Sequence, residues 1–193
     1  MKARSFADLV KSNRSRRRFY QDVNIAYETL RELVDMARLT PSARNQQPLK
    51  YILSNTAEKN ALIFGCLSWA LDIKGWGGPA EGERPSAYII ILGDTEIAKT
   101  FGCDHGIAAQ TIMLGAVDKD LGGCILASIK KDRLRELLAI PDRYEILLTL
   151  ALGKPKEQVI VEPLGRSGDV KYWRDSLGVH HVPKRALDDI IIG

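Results

Sequence analysis

Four arginines stand within five consecutive positions near the start of this chain: Arg14, Arg16, Arg17 and Arg18, with Ser15 between the first two. A guanidinium is a planar fork of donors matched to phosphate or carboxylate oxygens, and a nearby hydroxyl adds another donor. On a solvated face such a run needs no partner. Buried, it needs an anion, because an unpaired charge away from water is costly. A second polar stretch, "TPSARNQQPLKYIL", covers residues 40–53. Pro41 and Pro48 bracket its polar part. Asn45, Gln46 and Gln47 offer amide donors and acceptors that can read the edge of a heteroaromatic ring. The plainer reading is a helix-to-strand connection with turn chemistry.

The elements that must position these residues follow from hydrophobic period. "SFADLVKSN" reads as a short amphipathic helix carrying Phe6, Leu9 and Val10, just before the arginines. Residues 27–39 read as a stronger helix, with Leu30, Leu33, Val34 and Ala37 at helical spacing. Pro41 ends it. Residues 49–54 read as a strand, 57–71 as a helix, and 72–85 as a Gly- and Pro-punctuated loop holding Trp76. The β-branched run 86–92 reads as a buried strand. Residues 104–122 form a long helix, apolar on more than one face, as at a dimer interface. "LGGCILASI" then turns into extended chain. Residues 131–140 read as a helix and 145–153 as a strand. From 165 to 185 neither period holds, so this segment is expected to wrap over the body, and "ALDDIIIG" ends the chain as a candidate edge strand. The elements do not alternate as βαβ, which favours an α+β fold in one domain, 1–193, with a wrapping C-terminal segment 165–193.

Composition narrows the function classes. The net charge is +4, and Lys11 with the four arginines places five positive charges within eight residues. The rest of the chain is therefore near neutral, unlike a protein that binds nucleic acid over its whole surface. Cys66, Cys103 and Cys124 are far apart and no CxxC occurs, which favours a reducing compartment over a disulfide scaffold. No apolar run reaches the ~20 residues that span a bilayer. The reading is a soluble, cytoplasmic protein. There is no GxGxxG after a strand and no P-loop.

Taken together, "NRSRRRF", "PSARNQQPLKYIL", "DHGIAAQTIMLGAVDKDLGGCI" and "KRALDDII" resemble, in order, the signatures of the FMN-dependent nitroreductase family. The resemblance implies an α+β, nitroreductase-like fold: a central, mainly antiparallel sheet flanked by helices, in an intertwined homodimer with FMN between the subunits. By position, Arg14 and Ser15 would contact the flavin, Arg14 at the phosphate and ribityl end. Arg17 would sit near ring N1 and O2. Arg16 falls on a variable position, and Arg18 would face solvent or an acid. Pro41, Ser42 and Ala43 would pack on the flavin, and Asn45 would bond the cofactor or brace the loop. Ile125, Leu126, Ala127 and Ser128 match the segment whose backbone approaches the ring. Lys184 and Arg185 match the C-terminal basic position at the phosphate. The implied reaction carries hydride from NAD(P)H through the flavin to a nitroaromatic, quinone or similar acceptor. The flavin carries the chemistry, and neither a catalytic side chain nor a metal is implied.

The chain departs from the family pattern at Leu49, Ile125 and Ala127, where Trp, a bulky residue and Gly are common. A specialised flavin reaction such as reductive dehalogenation stays open, as does a basic nucleic-acid-binding module using residues 11–20. His180 and His181 are adjacent in extended chain and point to opposite sides, which disfavours a shared metal. Tyr172 or Trp173 would anchor the C-terminal segment. Trp76 is read as a pocket lid or an anchor, the lid favoured, and Cys124 as a small buried hydrophobe.

Overall fold

The computed structural model describes residues 4–70, 73 and 75–193. Leu71, Asp72 and Lys74, parts of the helix 57–71 and loop 72–85 expected above, lie outside the described residues, as do residues 1–3. Among the described residues, five α-helices and eight strands form an α+β fold: α1 (Phe6–Ser12), β1 (Phe19–Tyr20), α2 (Tyr27–Arg38), β2 (Leu49–Ser54), α3 (Ala57–Phe64), β3 (Ala87–Asp94), α4 (Asp104–Asp118), β4 (Gly122–Leu126), α5 (Lys131–Leu137), β5 (Tyr144–Pro155), β6 (Val159–Pro163), β7 (Trp173–Arg174) and β8 (His180–Lys184).

The central sheet is antiparallel throughout. β2 pairs β3, β3 pairs β5, and β5 also pairs β4 and then β1. β3 lies between two partners and is buried along its whole length, which is why its sequence is uniformly apolar instead of alternating. Its side chains still alternate between two cores. Ile89 and Ile91 pack with Leu30, Leu33, Ile112 and Met113 of α2 and α4. Tyr88, Ile90 and Leu92 pack with Ile63, Leu134 and Cys124 on the opposite side. The sheet is thus sandwiched between α2 with α4 and α3 with α5.

Local chemistry sets the helix ends. Ser5 caps α1 in a reciprocal capping box with Asp8. Thr56 caps α3. α2 crosses α4 closely at Gly115, where an added Cβ would lie 2.3 Å from the Met36 Cε. The apolar character of α4 on more than one face is met inside the subunit, by the sheet and by α2.

Several sequence expectations change. The helix expected over 57–71 ends at Phe64, and Leu67 instead bridges Ile129. The helix expected to 122 stops at Asp118, and the one expected to 140 stops at Leu137, each followed by a left-handed residue, Asp120 or Ala139. β5 runs on to Pro155, because Lys154 and Pro155 pair with Tyr20 and Phe19. The C-terminal region is not unpatterned wrap. β6, β7 and β8 form a second sheet, with β6 and β8 parallel. "ALDDIIIG" is not a strand in this subunit. Leu187–Asp189 is a single 3-10 turn, and Leu187 and Ile190–Ile192 are exposed.

Candidate cofactor site

Residues 13–18 leave α1 and run beside β4. Ser15 forms a parallel bridge to Gly123, and the Arg16 N–H donates to the Gly123 carbonyl at 2.8 Å. Only glycine fits there, since a Cβ on Gly123 would lie 2.1 Å from the Ala151 carbonyl oxygen. All four arginines are half-buried, so this run is not a solvated basic face.

Two of the four are committed inside the subunit. Arg18 grips Glu83 through Nε and Nη2 at 2.5 and 2.7 Å, and Lys156 joins the same carboxylate at 3.0 Å. The Arg18 contact above all holds the Glu83 carboxyl down at about 2. Arg16 Nη1 donates to the Glu157 carbonyl. Arg14 and Arg17 differ. Arg14 turns back on its own helix, where Nη2 donates to the Val10 carbonyl at 2.9 Å. The Arg17 guanidinium lies 5.0 Å from the centre of the Tyr172 ring, and its Nη1 is buried with no hydrogen-bond partner. Among the described residues neither makes an ion pair.

Glu157 organises this corner. Its carboxylate, 1% exposed, accepts the Arg17 backbone N–H and, at 2.9 Å, Arg174 Nη2. Arg174 in turn lies 4.3 Å from the centre of the Trp76 ring. Trp76 therefore packs against Arg174 of the second sheet. Tyr172 anchors the C-terminal segment on Arg17. Trp173 instead stacks on His181 at 4.1 Å and stays 46% exposed.

The start of the 122–129 stretch lies beside the arginine run, through Gly122 and Gly123. Cys124 is buried, and burial pushes its thiol up to about 12, so it stays a neutral, packed side chain. Ile125, Ala127 and Ser128 are exposed while Leu126 turns inward. The Ser128 carbonyl accepts from the Ser68 N–H at 3.0 Å.

The residues 41–47 form a separate site wall. Asp104, buried at the start of α4, accepts the Ser42 hydroxyl at 2.6 Å and the Ala43 N–H at 3.1 Å. Ser42 Oγ also accepts the Gln47 N–H at 2.9 Å. Arg44, Asn45 and Gln47 adopt left-handed φ of 53°, 54° and 53°. Such strain persists only where neighbours over-determine it, and Asp104 does so here. A cavity of about 170 Å³ lies against Pro41, Ser42 and Asp104.

The structure thus brings Ser15 and Arg16 against Gly123 at the start of β4, and Arg14 beside Gly122. Pro41, Ser42, Ala43 and Asn45 belong to the loop held by Asp104, Lys184 ends β8, and Arg185 follows it. Sequence reasoning missed Glu157, Glu83 and Asp104. The available signal was that Glu157 is the only acid between positions 146 and 161, opposite a run of arginines that needs one.

A family model described as the Nitroreductase family matches residues 10–154. This chain belongs to the nitroreductase family. A relative from Archaeoglobus fulgidus, provisionally named NADH dehydrogenase/NAD(P)H nitroreductase, is 27% identical over 154 residues, covering 73% of this chain and 80% of the relative. The crystal structure of a nitroreductase family protein from Streptococcus pneumoniae TIGR4 shares the fold, with a TM-score of 0.70 at 20% identity over 98% of this chain and 100% of that one. A provisionally named nitroreductase from Exiguobacterium sibiricum 255-15, solved in complex with FMN, has a TM-score of 0.67 at 20% identity, covering 81% of this chain and 90% of that one. The nitroreductase fold accounts for the antiparallel sheet between two helical layers. Among the described residues, no helix is long and apolar enough to cross a membrane.

Proposed function

We propose that this nitroreductase-family chain is an FMN-dependent oxidoreductase that carries hydride from NAD(P)H to a nitroaromatic, quinone or similar acceptor. The observation that carries the reading is Arg17: a half-buried cation with a buried, unpartnered Nη1, two residues on from the Ser15 bridge to β4. A flavin ring edge, with N1 and O2 as acceptors, supplies what that nitrogen lacks. The flavin, when bound, supplies the hydride acceptance and donation.

The protein's own residues bind, orient and tune. Arg17 stabilises negative charge at the ring edge, which favours the reduced cofactor. Arg14, released from the Val10 carbonyl, and Arg185 with Lys184 hold the phosphate. Ser15 adds a hydroxyl donor, and the backbone of Ile125, Leu126, Ala127 and Ser128 lines the ring. Pro41, Ser42, Ala43 and Asn45 supply the opposite wall. Their place on a different loop from Arg17 supports a site shared between two copies. So do the exposed Phe6 of α1 and the exposed tail Ile190–Ile192, since contiguous apolar surface marks a partner site. We read the working form as a homodimer in the cytoplasm.

The test is oxidation of NADH and of NADPH by the purified, FMN-supplied protein against a panel of nitroaromatic, quinone and halogenated acceptors. Turnover with nitro or quinone acceptors supports the reading. Turnover restricted to the halogenated acceptors would replace it with dehalogenation, and a protein that neither retains FMN nor oxidises either nucleotide would end it.

A further inference from the structure

Away from the arginine run, a cavity of about 110 Å³ opens between α3, the chain around Gln21, and the start of β3. Arg84, Ser86 and Tyr88 stand at alternate positions leading into β3. All three line this cavity. Ser86 is 6% exposed and Tyr88 1%, yet Ser86 Oγ, Tyr88 Oη and Arg84 Nε are buried with no hydrogen-bond partner. The Arg84 guanidinium lies 4.4 Å from the centre of the Phe64 ring, which fixes its plane without neutralising it. Burial pushes the Tyr88 phenol upward, so it remains a protonated donor.

Of the other polar side chains around the cavity, Asn60, Gln21 and Asn55 each have a partner, and Asn24 is exposed. Asn60 Nδ2 donates to the Ser86 carbonyl at 2.8 Å, and its oxygen accepts the Ser54 hydroxyl at 2.8 Å. Gln21 Oε1 accepts the N–H groups of Gly82 and Arg84. Among the described residues that line the cavity, Arg84 is the only charged side chain, and no carboxylate is present.

We propose that this cavity is a binding site for a small oxyanion, phosphate-like or carboxylate, held by Arg84, Ser86 and Tyr88. Buried donors without partners are rare in folded proteins, and each costs free energy until one is supplied. Water fits the volume, at about 30 Å³ per molecule, and satisfies hydroxyls. Water leaves the guanidinium without a counter-charge, whereas an oxyanion answers all three donors and the charge together. The site is separate from the proposed flavin contacts and shares no residue with them.

Calorimetric titration of the purified protein tests this, with FMN in excess so that the flavin's own phosphate positions are filled. The probes are inorganic phosphate, glycerol phosphate and acetate at constant ionic strength. One of them should bind with one site per chain, and Arg84→Gln should weaken it about tenfold or more, the effect of losing a charge-assisted contact. Tyr88→Phe should weaken it less. Preference for inorganic phosphate identifies a free anion, equal binding of glycerol phosphate a headgroup on a larger ligand, and preference for acetate a carboxylate. No binding by any probe, or binding unchanged in both variants, overturns the proposal and leaves the cavity to water.

Discussion

Arg17 sits where two demands meet. Its backbone N–H is fixed by Glu157, its guanidinium by the Tyr172 face, and its Nη1 faces no acceptor within the subunit. If that nitrogen serves the flavin ring edge, Arg17→Gln should weaken FMN binding by roughly tenfold or more and lower the bound flavin's reduction potential, since a charged hydrogen bond contributes about 1.5–3 kcal/mol. Fluorescence titration and a dye-linked potential measurement check both. An unchanged potential would mean the cation lies elsewhere. Glu157 acts through others, as a positioning residue. Removing one member of a buried pair leaves the other uncompensated, so Glu157→Ala should cost about 3 kcal/mol of stability, read from urea unfolding. A loss below about 1 kcal/mol would place this contact among exposed pairs, which contribute little.

At the scale of elements, the second sheet carries opposed titrations on neighbouring residues. His180 is buried, and burial lowers its pKa from 6.5 to about 4 despite the nearby Glu157. His181 lies within 3.0 Å of Glu162 and 3.4 Å of Asp175, and Glu162 above all raises its pKa. Between about pH 6.5 and 4 the unfolded chain protonates His180 and the folded one does not, so acid destabilises the sheet through this group. His181 works in the other direction: its contribution is fully present below 6.5 and is lost as pH rises through its raised value. Hydrogen exchange of residues 159–184 between pH 7 and 4 should therefore show loosening in acid. His180→Phe should flatten that loss and His181→Gln should deepen it. A wild-type profile with no acid loosening would contradict the assignment. This sheet was also the part of the fold least legible beforehand. β2, α2 and β3 announce themselves because burial on fixed faces forces a period or a continuous apolar run. β7 has two residues, β6 and β8 pair in parallel across an intervening segment, and their side chains are half wet, so no period arises. The arginine run and the 122–128 stretch were each legible as motifs. Their adjacency rests on one bridge, Ser15 to Gly123, between residues far apart in sequence. The acids that orient the run lie far away along the chain, and no local pattern marks them.

At the scale of the molecule, the proposed contacts come from separate stretches of the chain, and several large apolar side chains stay exposed. Ile192 is fully exposed, and Phe6 is 71% exposed. Among the described residues, β2 pairs only with β3 and so forms an edge of the central sheet. Deleting residues 186–193 should convert a dimer to monomers in sedimentation equilibrium, and bound flavin should fall with it. A truncated chain that stays dimeric and yellow would show that the tail is dispensable to both.

The most direct measurement is the equilibrium titration of flavin-free protein with FMN, for the wild type and for Arg14→Ala and Arg185→Ala. The account predicts one FMN per chain in the wild type and an affinity about tenfold weaker or worse in each variant, as for a lost charged contact to a phosphate. Affinity and stoichiometry unchanged in both variants would contradict it.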